Sequence, residues 1–404
     1  MFALMIKINE GTMITVVPFW MDLSASVFYL AAPLVMIELG GNPIELGLIG
    51  TISASVHMIL AHLTGRLSDR FGRRALMVAG PFIFGISCLL MTQIGSVKAI
   101  LALAALNGFS MAIFWPAFQA WIAESQNGSG LARNLGSFNM SWTASHFIGP
   151  TLSGLLFGLH SRLPFWLAAG LCISLFLVMR ISVTERTSQP QKGTESLPSE
   201  PEETNQGRTF LYAIWIANFA SFFILANARY QFPKLARELT MSPYMIGMLM
   251  SCIGLAQFLG FFFLRGTERW HFNKFYLLGA QLLAASGLLL IFFFNQQMVF
   301  ASAFIMLGLC ASLTYYSSIY YTVRLMKKKG KGAGLHESIL GSGVVLGPLL
   351  GGIMAHSAGL RAPYVLCLGV LALVIVIELS LIKKNPHPQI SQITQNNMGQ
   401  KKSH

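Results

Sequence analysis

Apolar segments of similar length recur along the whole chain, and short polar stretches separate them. Each segment is close to the roughly 20 residues that an α-helix needs to cross a bilayer core. They lie at about 12–37, 46–64, 75–96, 99–122, 134–158, 163–181, 209–232, 244–264, 273–294, 298–321, 333–357 and 363–382. The pattern predicts an all-α membrane protein with twelve transmembrane helices, numbered here as spans 1 to 12.

Two longer polar stretches divide this pattern. Residues 183–208 are rich in Pro, Ser and Glu and have no hydrophobic periodicity, which predicts a disordered linker. Residues 385–404 form a polar tail. We therefore expect one six-helix bundle at 1–182 and a second at 209–384.

The two predicted bundles carry an internal repeat. Spans 1 and 2 match spans 7 and 8 at an offset of 200 residues, and span 5 matches span 11 at an offset of 198. The matched residues are Pro33, Glu38, Leu39, Pro43 and Gly47 with Pro233, Glu238, Leu239, Pro243 and Gly247, and Ser145, Gly149, Pro150 and Ser153 with Gly343, Gly347, Pro348 and Gly351. Such symmetry is typical of transporters built from two parallel repeats around a central cavity.

Composition excludes several other classes of protein. The chain is 54% hydrophobic and 11% charged, whereas soluble domains carry about 25% charged residues. The five cysteines lie singly in apolar segments, so neither disulfides nor a metal site is expected. No nucleophile triad, zinc-protease motif or phosphate-binding loop is present, so we expect no enzyme and no cofactor.

The net charge of +13 is distributed according to membrane topology. Most lysines and arginines lie in the two tails and the even-numbered loops, or at the ends of the neighbouring spans; the exceptions are Lys98, Arg162, Arg229, Lys234, Arg237 and Arg361. The positive-inside rule then predicts that both termini are cytoplasmic. We expect the protein in the plasma membrane, or in the inner membrane of a Gram-negative cell. No basic face with interleaved aromatic residues exists, so nucleic acid is not an expected partner.

The densest short cluster of charge lies between spans 2 and 3, in the stretch GRLSDRFGRR at 65–74. This stretch resembles the loop 2–3 signature of the major facilitator superfamily, GxLxDRxGRR. The residues that match are Gly65, Leu67, Asp69, Arg70, Gly72, Arg73 and Arg74. The resemblance covers the whole chain, with twelve spans, a central linker and Gly-Pro pairs in spans 5 and 11.

The resemblance implies that this loop locks the cytoplasmic side while the cavity faces outward. Gly65 has no Cβ, so span 2 is expected to approach span 11 closely there. Asp69 is expected to face the N-terminus of span 11, where the helix dipole favours an anion. The arginines are expected to pair with Glu124 at the end of span 4, although they also serve topology alone.

Spans 5 and 11 carry small residues at helical spacing, which suits close packing of helix backbones. The prolines are expected to kink both spans. The residues are Gly149 and Pro150 in span 5, and Gly343, Gly347, Pro348 and Gly351 in span 11. Within the family, Gly-Pro in span 5 is associated with proton-coupled antiporters, but Ser145 replaces the usual first glycine, and simple helix packing explains the motif equally.

Two carboxyl groups inside spans are candidates for proton coupling. Asp22 lies near the middle of span 1 on one helical stripe with Ser26 and Tyr29. A charge there costs about 2.5–3.5 kcal/mol unless it faces protein or water, so Asp22 is either a proton carrier or a structural residue bonded to neighbouring hydroxyls. Glu337 enters the first turns of span 11, where a carboxylate also favours the helix dipole.

The resemblance implies that spans 1, 4, 7 and 10 line the cavity. Candidate lining residues are Ser26, Tyr29, Trp115, Gln119, Arg229, Tyr315 and Tyr316. Aromatic rings with a few polar groups suit a moderately apolar organic solute. The alternatives are interfacial or packing aromatics, and an Arg229 that extends to the membrane surface.

These observations predict a secondary active transporter of a small organic solute. We expect proton coupling, with efflux by antiport favoured over uptake, and a monomer in the lipid bilayer. A uniporter and a non-transporting membrane receptor of the same fold are the alternatives. The identity of the solute does not follow from these residues.

Overall fold

The described part of the chain folds into twelve α-helices. The computed structural model describes residues 10–124, 131–183, 205–267, 269–326 and 329–384, and no strand occurs within them. The helices are α1 (Glu10–Glu38), α2 (Pro43–Phe71), α3 (Arg73–Met91), α4 (Val97–Glu124), α5 (Leu131–Leu159), α6 (Leu163–Ser182), α7 (Asn205–Glu238), α8 (Pro243–Leu264), α9 (Lys274–Phe293), α10 (Gln297–Leu325), α11 (Lys329–Ala358) and α12 (Ala362–Lys384). The prediction of an all-α fold with twelve helices is confirmed.

Among the described residues, eleven helices are long and apolar enough to cross a membrane, and α5 falls short of that criterion because polar residues interrupt it. Some of those residues bond to neighbouring helices. The Ser153 hydroxyl donates to the carbonyl of Val27 on α1 at 2.8 Å, and the Thr151 hydroxyl donates to Ser251 on α8 at 2.8 Å. Interhelical hydrogen bonds of this kind satisfy polar groups inside a membrane bundle.

The predicted linker is shorter than expected at its C-terminal end. Helix α7 begins at Asn205, so residues 205–208 are helical. Residues 184–204 and the tail at 385–404 lie outside the described residues, and the remaining domain boundaries stay predictions.

The signature stretch at 65–74 is almost entirely helical, which corrects the expectation of a loop. Helix α2 continues to Phe71, and α3 begins at Arg73. Only Gly72 interrupts the two helices, with φ of +89°. Glycine adopts this left-handed region without the penalty that a Cβ would bring, so the backbone itself accounts for a glycine at this position.

Helices α1–α6 and α7–α12 form two bundles that meet along a central plane, with α2 against α11 and α5 against α8. The turns at 39–42, 92–96, 160–162, 239–242, 294–296 and 359–361 lie at one end, called here the short-loop face. Gly72 and the break between α6 and α7 lie at the opposite end, called the linker face. The positive-inside prediction assigns the linker face to the cytoplasm.

At the short-loop face the two bundles touch backbone to backbone. A Cβ on Gly47 of α2 would collide with the carbonyl oxygen of Pro348 on α11, and a Cβ on Gly247 of α8 would collide with that of Pro150 on α5. These contacts are equivalent under the internal repeat. A second equivalent pair joins Gly352 to the Pro43 carbonyl and Gly154 to the Pro243 carbonyl. We call the four contacts of Gly47, Gly154, Gly247 and Gly352 the glycine seam.

Side chains of α7 add hydrogen bonds at the same face. The Gln231 amide donates to the carbonyl of Pro43 at 3.2 Å, and the Lys234 ammonium donates to the carbonyl of Gly41 at 3.0 Å. Both bonds join the second bundle to the start of α2. Together with the glycine seam they close the short-loop face.

Toward the linker face, α2 and α11 separate. The Cβ position of Gly341 lies 3.5 Å from the Met58 sulfur, but among the described residues no heavy atom outside the local helix lies within 4 Å of the Cβ position of Gly65. The expected close approach of α2 to α11 at Gly65 is therefore not made in this conformation. The two helices are therefore in backbone contact near the short-loop face, and no such contact is found at Gly65.

Candidate functional site

A cavity of about 150 Å³ lies between the two bundles. A smaller space joins it and shares five of its residues, Tyr29, His146, Leu225, Arg229 and Gln257. We call the two spaces together the central cavity. Its polar lining consists of Ser26, Tyr29, Ser53, His57, His146, Arg229, Tyr230 and Gln257, and Trp142 and Phe222 add aromatic walls.

One contact in the central cavity joins α1 to α7. The guanidinium carbon of Arg229 lies 5.5 Å from the centroid of the Tyr29 ring, a cation–π geometry. Ser26 lies one turn before Tyr29 and packs against Gly149, whose Cβ position is 2.5 Å from the Ser26 Cβ. Asp22, a further turn along the same stripe, is partly buried and lies within electrostatic range of Arg229. The structure thus brings Asp22, Ser26 and Tyr29 of α1 to the same region as Arg229 of α7.

The other predicted lining residues lie elsewhere. Trp115 packs in an aromatic cluster of α4 and α5, with ring centroids 4.9 Å from Phe114 and 5.8 Å from Phe138, and Gln119 is exposed. Neither Trp115 nor Gln119 lines the central cavity.

Two tyrosines of α10 form a layer behind the cavity wall. Tyr315 is buried, with its ring centroid 5.6 Å from Trp142 and 5.8 Å from Phe222, both of which line the cavity. Tyr316 contacts Trp270, 5.6 Å between centroids, at the linker face. Tyr315 therefore supports the cavity wall, and Tyr316 lies farther from the cavity.

Two arginines of the signature donate hydrogen bonds to acceptors within the first bundle. The Arg73 guanidinium donates to the Ser68 hydroxyl at 3.0 Å, and the Arg74 guanidinium donates to the carbonyl of Arg180 at 2.6 Å. The second bond satisfies a carbonyl in the last turn of α6, which has no partner within its own helix. The side chains of Asp69 and Glu124 lie outside the described residues, so the proposed roles of both stay predictions.

The small-residue stripe of α11 faces α7. The Cβ positions of Gly343 and Gly351 lie 2.6 Å from the Phe219 carbonyl and from the Asn227 amide, and Gly347 lies against the Phe223 carbonyl. The carboxylate predicted at the start of the same helix, Glu337, is exposed. Helix α11 therefore packs tightly on α7 of its own bundle, while Glu337 itself is exposed.

Sequence reasoning missed a buried carboxyl group in α12. Glu378 is fully buried, and the Gln281 amide of α9 donates to both of its carboxyl oxygens at 2.9 Å. The signal was a single glutamate inside the apolar run of span 12. Gln257 and His146 were likewise not assigned to the cavity, because a lone polar residue in an apolar span does not reveal which way it points.

Replacement of Gln281 by leucine is expected to destabilise the protein by roughly 1–3 kcal/mol, because the buried Glu378 carboxyl loses its donor. Glu378→Gln keeps the shape and a hydrogen bond to Gln281, so it should cost less. Thermal unfolding of the purified variants in detergent measures the difference. Equal losses in the two variants, or none in Gln281→Leu, would contradict a stabilising role for this pair.

A central cavity between two six-helix bundles defines a membrane transporter fold. The chain belongs to the Major Facilitator Superfamily, whose family model matches residues 13–230 and again 214–400. The family expected from the sequence is thereby confirmed. The protein is a multi-pass membrane transporter of small solutes, from a family and fold that are not those of enzymes.

Two relatives are named for drug resistance. Quinolone resistance protein NorA of Staphylococcus aureus is 21% identical over 370 residues, which cover 89% of this chain and 92% of NorA. Multidrug resistance protein 1 of Bacillus subtilis (strain 168) is 28% identical over 185 residues, 46% of each chain. The second match therefore spans about half the length of that relative.

Solved structures share the fold. A bacterial homologue of the human lysosomal transporter Spinster, in an inward-facing and occupied conformation, superposes with a TM-score of 0.74 at 15% identity and covers 94% of this chain and 98% of its own. The nucleoside transporter NupG superposes with a TM-score of 0.70 at 11% identity and covers 94% of this chain and 100% of its own. At these identities the likeness concerns architecture.

Proposed function

We propose that this protein exports small organic solutes across the cell membrane in exchange for protons. The observation that carries the proposal is the central cavity, where Arg229 of one bundle faces Tyr29 of the other and Asp22 lies within electrostatic range. A carboxyl group gains and loses a single proton, and a proton on Asp22 would change the charge within electrostatic range of Arg229. The names of the two relatives also favour efflux of organic compounds.

The conformation described above supplies one half of the transport cycle. With the linker face toward the cytoplasm, as the basic residues predict, solute enters between α2 and α11. Closure then brings Gly65 of α2 toward α11, while the glycine seam opens at the other side. After the solute is released, a proton binds to Asp22, and the molecule returns to the conformation described above. Each chain contains a whole cavity, so a monomer suffices for transport. The proposal places this monomer in the plasma membrane with both termini in the cytoplasm.

Transport in proteoliposomes tests this function. Vesicles reconstituted with the purified full chain are given a fluorescent quinolone outside and an acidic interior. We expect accumulation that a protonophore abolishes, because proton exit drives solute entry through molecules whose linker face points outward. Equilibration that ignores the pH gradient would support the uniporter instead, and absence of any flux for a panel of organic solutes would support a receptor.

A further inference from the structure

We infer that the central cavity binds solutes that carry a carboxylate on an aromatic ring system, and that Arg229 receives the carboxylate. The inference rests on the proposed function and names the substrate class of the same site. It follows from the hydrogen-bonding state of Arg229, from the charges around the cavity and from the shape of its walls.

The guanidinium of Arg229 has N–H groups available for hydrogen bonds to a solute. It carries five N–H groups, and the side chain is partly buried and lines both spaces of the central cavity. Among the described residues, no acceptor forms a hydrogen bond with it, and its guanidinium lies over the face of the Tyr29 ring. A ring face attracts the cation but leaves the N–H groups at the guanidinium edge unpaired.

The charges around the cavity leave Arg229 without a contacting counter-ion. Asp22 influences it electrostatically, but no ion pair within 4.0 Å joins them in the described part of the chain. Within the lining of the central cavity, Arg229 is the one residue of the Lys, Arg, Asp and Glu types. A cation in partly buried surroundings favours an anionic partner, and the planar fork of arginine matches the two oxygens of a carboxylate.

The walls of the cavity suit a flat ring. Tyr29, Trp142, Phe222 and Tyr230 supply aromatic surface from both bundles, and Gln257 supplies an amide. Aromatic pairs favour offset or edge-on packing, which a planar solute satisfies between such walls. A solute with an ammonium group in the same place would instead be repelled by Arg229.

Matched ligands on one ring test the inference. We would measure binding of 2-naphthoate, 2-naphthamide and 2-naphthylmethylammonium to the purified full chain by isothermal titration calorimetry, without any gradient. The naphthoate is expected to bind about tenfold or more tightly than the amide, since its bonds to arginine are charge-assisted. Naphthoate binding no tighter than that of the amide, tighter ammonium binding, or no naphthoate binding would overturn the inference.

Variants then assign the preference to one residue. Arg229→Gln should erase the difference between naphthoate and naphthamide, and Arg229→Lys should restore part of it. Arg237→Gln is the control on the same helix, because Arg237 donates to the Met241 carbonyl outside the cavity, and it should leave the preference intact. A preference that survives in a folded Arg229→Gln protein would place the carboxylate elsewhere.

The outcomes separate this inference from the proposed function. A carboxylate preference without proton-driven flux would retain the binding site and overturn proton antiport. Proton-driven flux in a protein that prefers the ammonium ligand would retain the transport function and overturn the role of Arg229.

Discussion

Gly47→Ala is expected to shift the protein out of the conformation described here, whereas Gly65→Ala is expected to leave it in place. Both glycines lie on α2. A Cβ at Gly47 would collide with the Pro348 carbonyl, which belongs to the backbone of α11 and has no rotamer to change. Overpacking of this kind costs about 1–3 kcal/mol, which corresponds to roughly a five- to 150-fold change in the ratio of conformations.

Gly65 supplies the matched control. In the part of the chain that the structure describes, no heavy atom outside the local helix lies within 4 Å of its Cβ position, so an added methyl group meets no described neighbour. Because the family resemblance brings Gly65 against α11 when the linker face closes, Gly65→Ala should favour the present conformation. The two variants should therefore move the equilibrium in opposite directions, although both make the same chemical change on the same helix.

Distances across the short-loop face measure this shift. Glu38 and Glu238 are equivalent under the internal repeat, lie at the ends of α1 and α7 and are exposed, so spin labels at these positions report the separation of the bundles. Gly47→Ala should add a population with a longer distance, and Gly65→Ala should add none. An unchanged distance distribution in Gly47→Ala would show that the glycine seam does not hold the bundles together.

Asp22→Asn is expected to abolish solute movement driven by a pH gradient while solute counterflow continues. Asparagine keeps the size and polarity of aspartate but carries no titrating proton at neutral pH. Counterflow exchanges one solute molecule for another and requires no net proton movement. Both activities are measured in the same proteoliposome preparation, with the amount of folded protein fixed by size-exclusion chromatography.

Glu337→Gln is the companion variant, because Glu337 was the other carboxyl group predicted to carry protons. It is exposed at the start of α11 and does not line the central cavity, so gradient-driven transport should persist. Loss of both activities in Asp22→Asn would indicate direct contact between Asp22 and the solute. Loss of neither would make Asp22 a structural residue and would return attention to Glu337.

The sequence predicted the helices well because the length and apolar character of a span are local properties. It also predicted, through the repeat, that Gly47 and Gly247 hold equivalent positions. The error at 65–74 arose because charge and glycine suggested a loop, although arginine, leucine and serine are compatible with a helix and only Gly72 departs from one.

The direction of single side chains in the central cavity was less predictable. Trp115 and Trp142 are both tryptophans in apolar spans, yet Trp142 lines the cavity and Trp115 packs between α4 and α5. The rotation of each helix about its axis depends on contacts with several others, which one span does not encode. For the same reason, the pairing of Glu378 with Gln281 across 97 residues could not be foreseen.

Under the proposed proton exchange, the glycine seam would also act as a barrier to protons. A proton exchanger loses efficiency whenever protons leak past it along a chain of water molecules. Water needs a roomy site with two to four polar partners, and a glycine that touches a carbonyl oxygen leaves no such room where α2 meets α11 and α5 meets α8. The same contacts that hold the bundles together would therefore keep protons from bypassing the carboxyl group in the centre.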